Sequence, residues 1–340
     1  MSLLFDELLI AIMKAVNRER TLSSPYHLIK GKKSGQTIQD IGYYGLFPYF
    51  AVMPRLEKRF YDQAVDGLFA RGFLQENTDV IDLTDMALSS ETPATPLDGW
   101  RYRGNEQLFL SRLSLTIQTF SHISQKVNSF DPVINSEEIQ LWTKNYLRQH
   151  NFRAPETVKA FKAQVLASLE ETAVPEQHKM ILMSRLSGFG FSGLTWEQIS
   201  ANQGIAPLDA QLNLVETLHA WMHIIEQNRH PLLLRLLEGV IQQSSLTESA
   251  QRTEKLFARG FTLQQIAELR QLKSSTIEDH VVELAMNDPY FDYSPFISEE
   301  IYQTIVHLSR EQQTKRLRDI KDKVPAATYF QIRLALAVKQ

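Results

Sequence analysis

Apolar residues along this chain recur mostly at intervals of three and four, the spacing that gathers them on one face of an α-helix. Alternation with period two is rare. The pattern predicts an amphipathic helix over residues 3–17, a second over Gly35–Gly45 and a third over Pro54–Arg71. The third places Leu56, Phe60, Ala64, Leu68 and Phe69 inward. The one alternating stretch runs from Phe73 to Leu83, two short arms around Asn77-Thr78-Asp79, and predicts a β-hairpin. Three helices followed by a hairpin is the winged-helix order. Helical spacing then continues near Gln107–Val127, Ser136–Gln149, Pro155–Thr172, Glu176–Leu186 and Pro207–Gln227. Pro155 suits a helix start, where its missing N–H costs nothing.

Breaker residues punctuate this pattern twice. Ser89 to Gly99 holds Pro93, Pro96 and several serines and threonines, and Gln242-Gln243-Ser244-Ser245 is a short polar run. They divide the chain into residues 1–88, a winged-helix-like domain, 98–243, an α-helical middle domain, and 244–340, a helix-turn-helix domain. The fold class expected is mainly α. One hexapeptide occurs twice, at Leu68–Phe73 and at Leu256–Phe261. It reads either as a duplication or as two amphipathic helix ends, each closed by a glycine that accepts positive φ.

The last third carries the clearest local grammar. A helix ends at Gly260, and Leu263, Ile266 and Ala267 form the inner face of a short second helix. Leu272 packs in the turn. Ser275 with Glu278 three residues on has the spacing of a capping box for a third helix, whose Ile277, Val281 and Leu284 face inward. In a DNA-reading helix-turn-helix the third helix enters the major groove by its first turn. From Ser274 to Met286, however, there are Glu278, Asp279 and Glu283 and no lysine or arginine, with only Arg270 and Lys273 alongside. Residues 244–340 hold 13 basic and 13 acidic side chains, so counterion release there would contribute little. The candidate contacts, to DNA or to a docked protein, are Arg270, Lys273, Ser274, Ser275, Thr276, Asp279 and His280.

The segment from Thr247 to Ala337 resembles the helicase helix-turn-helix domain at the C-terminus of many RecQ-type helicases. The matching residues are Gly260 to Ala267, Ser275-Thr276-Ile277-Glu278-Asp279-His280, and Thr328-Tyr329-Phe330-Gln331-Ile332-Arg333-Leu334-Ala335. One departure is Gln271, where that family often has glycine after the helix-two arginine. The whole chain also resembles the YpbB family of bacterial proteins, with Lys30-Gly31-Lys32-Lys33-Ser34-Gly35-Gln36-Thr37-Ile38-Gln39-Asp40 as the N-terminal signature. The resemblance implies an accessory role beside a RecQ-type helicase, with any unwinding supplied by that partner.

Composition narrows where nucleic acid would be held. With 43% apolar and 22% charged residues over 340 positions, most of the chain should fold around cores. A net charge of -3 gives no whole-molecule attraction to phosphate, so any footprint must be local. Between Lys14 and Arg59 there are nine basic and three acidic residues. Lys30, Lys32, Lys33, Arg55, Lys58 and Arg59 are therefore the candidate phosphate contacts, the last three at the start of the third predicted helix. The absence of cysteine excludes disulfides, thiolate metal sites and cysteine nucleophiles, and fits a reducing cytosol. Residues 1–15 lack the pattern of a signal peptide, and no run approaches the roughly 20 apolar residues of a membrane span. A soluble cytoplasmic protein without a membrane partner is expected.

Four motifs have the look of chemistry. Gly188-Phe189-Gly190-Phe191-Ser192-Gly193 spells G-x-G-x-x-G, but a helix precedes it where a dinucleotide site needs a strand. Gly31-Lys32-Lys33-Ser34 lacks the earlier glycine and the leading strand of a P-loop. His219 and His223 have zinc-protease spacing, yet Ala220 stands where the catalytic glutamate would be. Leu194 to Ile205, followed by the helix from Pro207, is a further helix-turn-helix echo without basic residues. No catalytic residue, metal or cofactor is expected. The function expected is that of a non-enzymatic accessory protein of DNA metabolism, binding a RecQ-type helicase, DNA or both. The alternative is a sequence-specific DNA-binding transcription regulator.

Overall fold

The computed structural model describes residues 4–75, 80–92, 94–242 and 244–338. Among the described residues the protein is built from α-helices without named strands. In chain order these are α1 (Leu4–Ala15), α2 (Ser23–Ile29), α3 (Gly35–Tyr44), α4 (Lys58–Ala70), α5 (Asp85–Ser89), α6 (Gly99–Tyr102) and α7 (Glu106–Ser124). There follow α8 (Glu137–Gln149), α9 (Pro155–Glu170), α10 (Glu176–Ser184), α11 (Trp196–Gln203), α12 (Pro207–Gln227) and α13 (Pro231–Leu234). The C-terminal part holds α14 (Glu248–Phe257), α15 (Leu263–Arg270), α16 (Ser274–Asn287), α17 (Glu299–Gln312), α18 (Leu317–Lys323) and α19 (Tyr329–Ala337).

Many of these starts are local chemistry. Ser34, Thr84, Ser136, Thr195, Thr247, Thr262, Ser298 and Thr328 each accept the backbone N–H three residues on, satisfying a donor the helix cannot. Thr195, Thr262 and Thr328 complete full capping boxes with Gln198, Gln265 and Gln331.

The helices gather into two compact units. One holds residues 51–54 and 94–242 with the first turns of α1; the other holds residues 9–50, the described part of 55–91, and 244–338. In the first, α12 is the central helix, packed by α7, α9, α10 and α11. Its Trp221 is 1% exposed, meets Phe109 of α7 edge-on at 5.4 Å, and donates its indole N–H to Ser168 Oγ of α9 at 2.7 Å. A buried tryptophan thus keeps its one polar atom paired.

In the second unit the terminal regions fold together. The central element is α16, packed by α3 from the N-terminal region and by α14, α15 and α19 from the C-terminal one. Its Ile277, Val281, Val282 and Ala285 have no exposed surface at all.

Three local expectations change in this frame. The predicted hairpin is reduced to a single bridge between Leu74 and Leu83, with Gln75 N–H donating to Asp82 O and Thr84 N–H to Phe73 O. The second arm is taken by another partner: Ile81 exchanges backbone hydrogen bonds of 2.7 Å with Arg18 and Arg20. The Asn77-Thr78-Asp79 turn lies outside the described residues. Next, α4 begins at Lys58 rather than near Pro54, and its inner face is Tyr61, Val65 and Leu68 while Phe60 turns outward. The Tyr61 hydroxyl donates to the Leu22 carbonyl, which sets that rotation. Finally, α2 is a short helix that the periodicity left unmarked, its seven residues too few for a clear repeat.

Candidate nucleic-acid interface

The order α14, turn, α15, turn, α16 is a helix-turn-helix. Gly260, at φ 83°, lets the first turn reverse in the left-handed region that glycine alone enters freely. Ile266 and Ala267 are buried on the inner face of α15. The second turn closes through Gln271 at φ 51° and ψ 43°. The turn therefore keeps the left-handed geometry without the glycine, and a side chain bears the strain.

The outer side of α16 is largely covered. At Gly35 of α3 a Cβ would stand 2.3 Å from Asp279 Oδ2, and at Gly42, two turns on, 2.5 Å from Met286 Cε. Two glycines on one face thus let α3 lie directly on α16. Gln39, also on α3, donates to Asp279 Oδ1 at 3.4 Å. On the other flank Arg333 of α19 pairs with Glu278 at 3.2 Å and with Asp279, and the Tyr43 hydroxyl donates to the Arg333 carbonyl at 2.7 Å. Glu283 accepts the backbone N–H and the hydroxyl of Thr247 ahead of α14. All three acidic residues of α16 are committed within the unit.

The predicted contacts of this region separate accordingly. His280 is 7% exposed, with Nδ1 2.9 Å from the Thr253 hydroxyl and 3.4 Å from Arg270 Nη1. Burial first and the Arg270 charge second push its pKa down to about 4, so the ring is neutral. Arg270 donates to Ser249 O at 2.8 Å and Ser249 Oγ at 3.0 Å, tying α15 to α14. Lys273, Ser274 and Ser275 are exposed and Thr276 half-exposed. The Ser275–Glu278 capping box does not form: α16 starts one residue earlier, at Ser274, with Lys273 in the cap position, and Glu278 is turned to Arg333.

In the same unit, α2 and the start of α4 bring basic groups onto an aromatic base. Lys30 Nζ lies 5.5 Å from the centre of the Tyr26 ring; Lys58 Nζ lies 5.4 Å from Tyr26 and 5.1 Å from Tyr61. The two rings are themselves 5.2 Å apart. His27 sits in this cluster: desolvation lowers its pKa, and the charges of Lys32 and Lys58 add to that. Beside Lys32 a hollow of about 200 Å³ at the first turns of α3 is lined by Ser23, Ser24, His27, Ser34 and Thr37, and also by Asp40, whose carboxylate pairs with Arg20. Helix N-termini, hydroxyls and lysines are groups that hold phosphate.

Of the predicted phosphate contacts, the structure brings Lys30, Lys32 and Lys58 together. Lys58 also pairs with Asp62 within α4. Arg59 pairs with Glu57 at 3.0 Å and lies over Phe60, while Lys33 and Arg55 are exposed. Sequence reasoning missed Tyr26, His27 and Tyr61. Tyr26-His27, one helical turn ahead of Lys30, was the available signal, hidden because α2 itself went unrecognised.

The glycine loop and the histidine pair have these surroundings. Gly188 to Gly193 forms a tight turn between α10 and α11, bridged from Gly188 to Phe191. His219 is 1% exposed; its Nδ1 accepts the Asp98 N–H at 3.0 Å and its Nε2 lies 3.6 Å from Glu106. His223 is exposed and contacts Gln227. No described helix is long and apolar enough to cross a membrane.

The fold and this geometry define a mainly α-helical protein with a C-terminal helix-turn-helix. A family described as "Helix-turn-helix domain" matches residues 249–336. Over its full length the chain is similar to Protein YpbB of Bacillus subtilis (strain 168), with 29% identity over 342 residues, covering 98% of this chain and 96% of that protein. Both findings are consistent with a YpbB-family protein with a C-terminal helix-turn-helix domain, in agreement with the resemblance of the sequence motifs. No solved structure matches the chain.

Proposed function

We propose that this chain is a non-enzymatic accessory protein of DNA metabolism, cytoplasmic, acting beside a RecQ-type helicase. It would hold nucleic-acid phosphates at the corner of α2 and α4. The helix-turn-helix class supports nucleic-acid binding, and the likeness of residues 247–337 to the RecQ C-terminal domain supports the choice of partner. The observation that carries the location is the convergence of Lys30 and Lys58 on the Tyr26 ring, with Lys58 also over Tyr61 and Lys32 close enough to His27 to act on its charge, while α16 is occupied by α3 and Arg333. Any sequence reading by α16 would fall to its cap and first turn, Lys273 to Thr276, since Glu278 and Asp279 behind them are held by Arg333.

The test is DNA retardation by the full chain across a salt series. Each phosphate contact adds about 0.9 to the slope of log K against log salt for duplex DNA. Lys32→Ala with Lys58→Ala should therefore lower that slope by about 2, whereas Lys273→Ala should leave it nearly unchanged. The opposite ranking would move the interface to the helix-turn-helix. Copurification of the full chain without any RecQ-type helicase, combined with no retardation at low salt, would refute the proposal outright.

A further inference from the structure

A groove of about 1010 Å³ lies beside the helix-turn-helix, between the end of α14, the start of α15 and the loop that follows α16. Its walls include Phe257, Phe261, Leu263, Phe291 and Phe296, all half-buried rather than buried. Phe257 packs on two small apolar clusters, one centred on Leu246, Ala250 and Leu284, the other on Ile266, Ala267 and Ile277. The groove is the seam those clusters leave open. Phe291 and Phe296 stack at 6.2 Å, and Phe296 meets Phe257 edge-on at 6.0 Å, so the rings hold one another in place without covering the slot. At the mouth stands Gly260, where a Cβ would meet nothing within 4 Å.

The rim has one sign. Glu254, Asp288 and Asp292 line it and are exposed, and no lysine or arginine is among its described lining residues. The two aspartates are also oriented: Asp288 accepts the Tyr290 N–H at 2.8 Å and Asp292 the Ser294 N–H at 3.0 Å. Such a rim repels phosphate, so nucleic acid is the wrong occupant. It complements a peptide whose apolar side chains are flanked by lysine or arginine.

We propose that this groove docks a basic amphipathic segment of a partner protein, with apolar anchors between Phe257, Phe261 and Phe296 and cations facing Glu254, Asp288 and Asp292. The inference goes beyond the phosphate-binding proposal and does not depend on it, because the groove and the basic corner share no residue.

The test uses the full chain and a fluorescein-labelled helical peptide of leucines and lysines, the leucines on one face. Its counterparts are a scrambled peptide of the same composition and one with glutamate in place of lysine. Fluorescence anisotropy should show binding of the basic helix at least ten-fold tighter than the scrambled peptide, and none of the acidic one. Asp288→Lys with Asp292→Lys, both at exposed positions, should weaken the basic helix at least ten-fold and admit the acidic one. Methyl resonances of Leu246, Leu263 and Leu284 should shift on titration. Equal binding of all three peptides, unchanged affinity in the charge-reversed variant, or shifts confined to other methyls would overturn the proposal. Shifts of those same methyls by a DNA duplex would overturn it in favour of nucleic acid. Concentration-dependent self-association lost in the charge-reversed variant would overturn it in favour of a second copy. Phe261→Ser should abolish binding; if it fails to fold by circular dichroism, the charge reversal decides. Lys32→Ala with Lys58→Ala should leave peptide affinity unchanged, which separates this outcome from the fate of the DNA-binding proposal.

Discussion

Replacing Arg333 by methionine removes the cation that holds the acidic face of α16 while keeping most of the side chain's packing stem. The Arg333 side chain is 16% exposed and those of its partners Glu278 and Asp279 are 31% and 30% exposed. A fully buried pair broken on one side costs about 3–5 kcal/mol, and a surface pair is worth about 0–1 kcal/mol. The burial here lies between these limits, nearer the first on the arginine side, so a loss of about 2 kcal/mol is expected. Asp279 would retain only the 3.4 Å hydrogen bond from Gln39 and would stand beside Glu278 uncompensated. Asp279→Asn alone should cost about 1 kcal/mol, and the double variant less than the sum, with a coupling of about 1 kcal/mol. Trp100, Trp142, Trp196 and Trp221 all lie in the first unit, so tryptophan fluorescence reports that unit. Circular dichroism in urea follows the helices of both units, so the part of its transition that fluorescence does not share, with hydrogen exchange at the α16 and α3 amides, reports the second. A coupling below about 0.5 kcal/mol, the level of independent sites, or unchanged exchange in α16, would refute the idea that α16 is acidic because it is clamped inward.

Further outcomes follow from the same contacts. His280 is neutral when folded, whereas the unfolded chain binds a proton below the ordinary 6.5, so its contribution is complete above pH 6.5 and is lost as pH falls towards about 4. The full separation would correspond to about 3 kcal/mol; with water reaching the ring edge, about 2 kcal/mol is expected. His280→Gln should flatten this part of the pH dependence of the urea midpoint, and a variant that tracks the wild type would contradict the assignment. Gln271→Gly should raise the thermal midpoint, since relief of the left-handed strain, about 1–2 kcal/mol, exceeds the added backbone freedom of about 0.5–1 kcal/mol. Trp221→Phe should destabilise the first unit by about 2 kcal/mol through lost volume and the lost hydrogen bond to Ser168, read as an earlier transition in circular dichroism.

The elements that sequence reasoning found are those with local causes. Gln107–Val127, Ser136–Gln149, Pro155–Thr172 and Pro207–Gln227 reappear as α7, α8, α9 and α12 within a few residues, because apolar period and end residues act within a turn or two. The helix-turn-helix was readable for the same reason: Gly260 and the Ile266-Ala267 face are short-range, although the capping box forms at Thr262 and Gln265 and not at Ser275 and Glu278. The hairpin was only partly readable, since period two marks an extended arm and not its partner. Ile81 pairs with Arg18 and Arg20, which no nearby residue announces. The face of α4 failed similarly, because Tyr61 turns inward to the carbonyl of Leu22, just ahead of α2. At the candidate interface, charge counting found Lys30, Lys32 and Lys58, but Tyr26 and Tyr61, on which Lys58 lies, come from two helices and meet only on folding.

By itself, then, the sequence determined a helical protein ending in a helix-turn-helix, with basic residues concentrated near its start. Those properties rest on residues a few positions apart. Tertiary structure decided what the helix-turn-helix faces. Asp279 meets Gln39 across a separation of 240 residues, and Gly35 and Gly42 clear the path for that contact. A glycine in one helix and an aspartate in another carry no mark of belonging together until packing makes the absence of a Cβ the condition for their meeting.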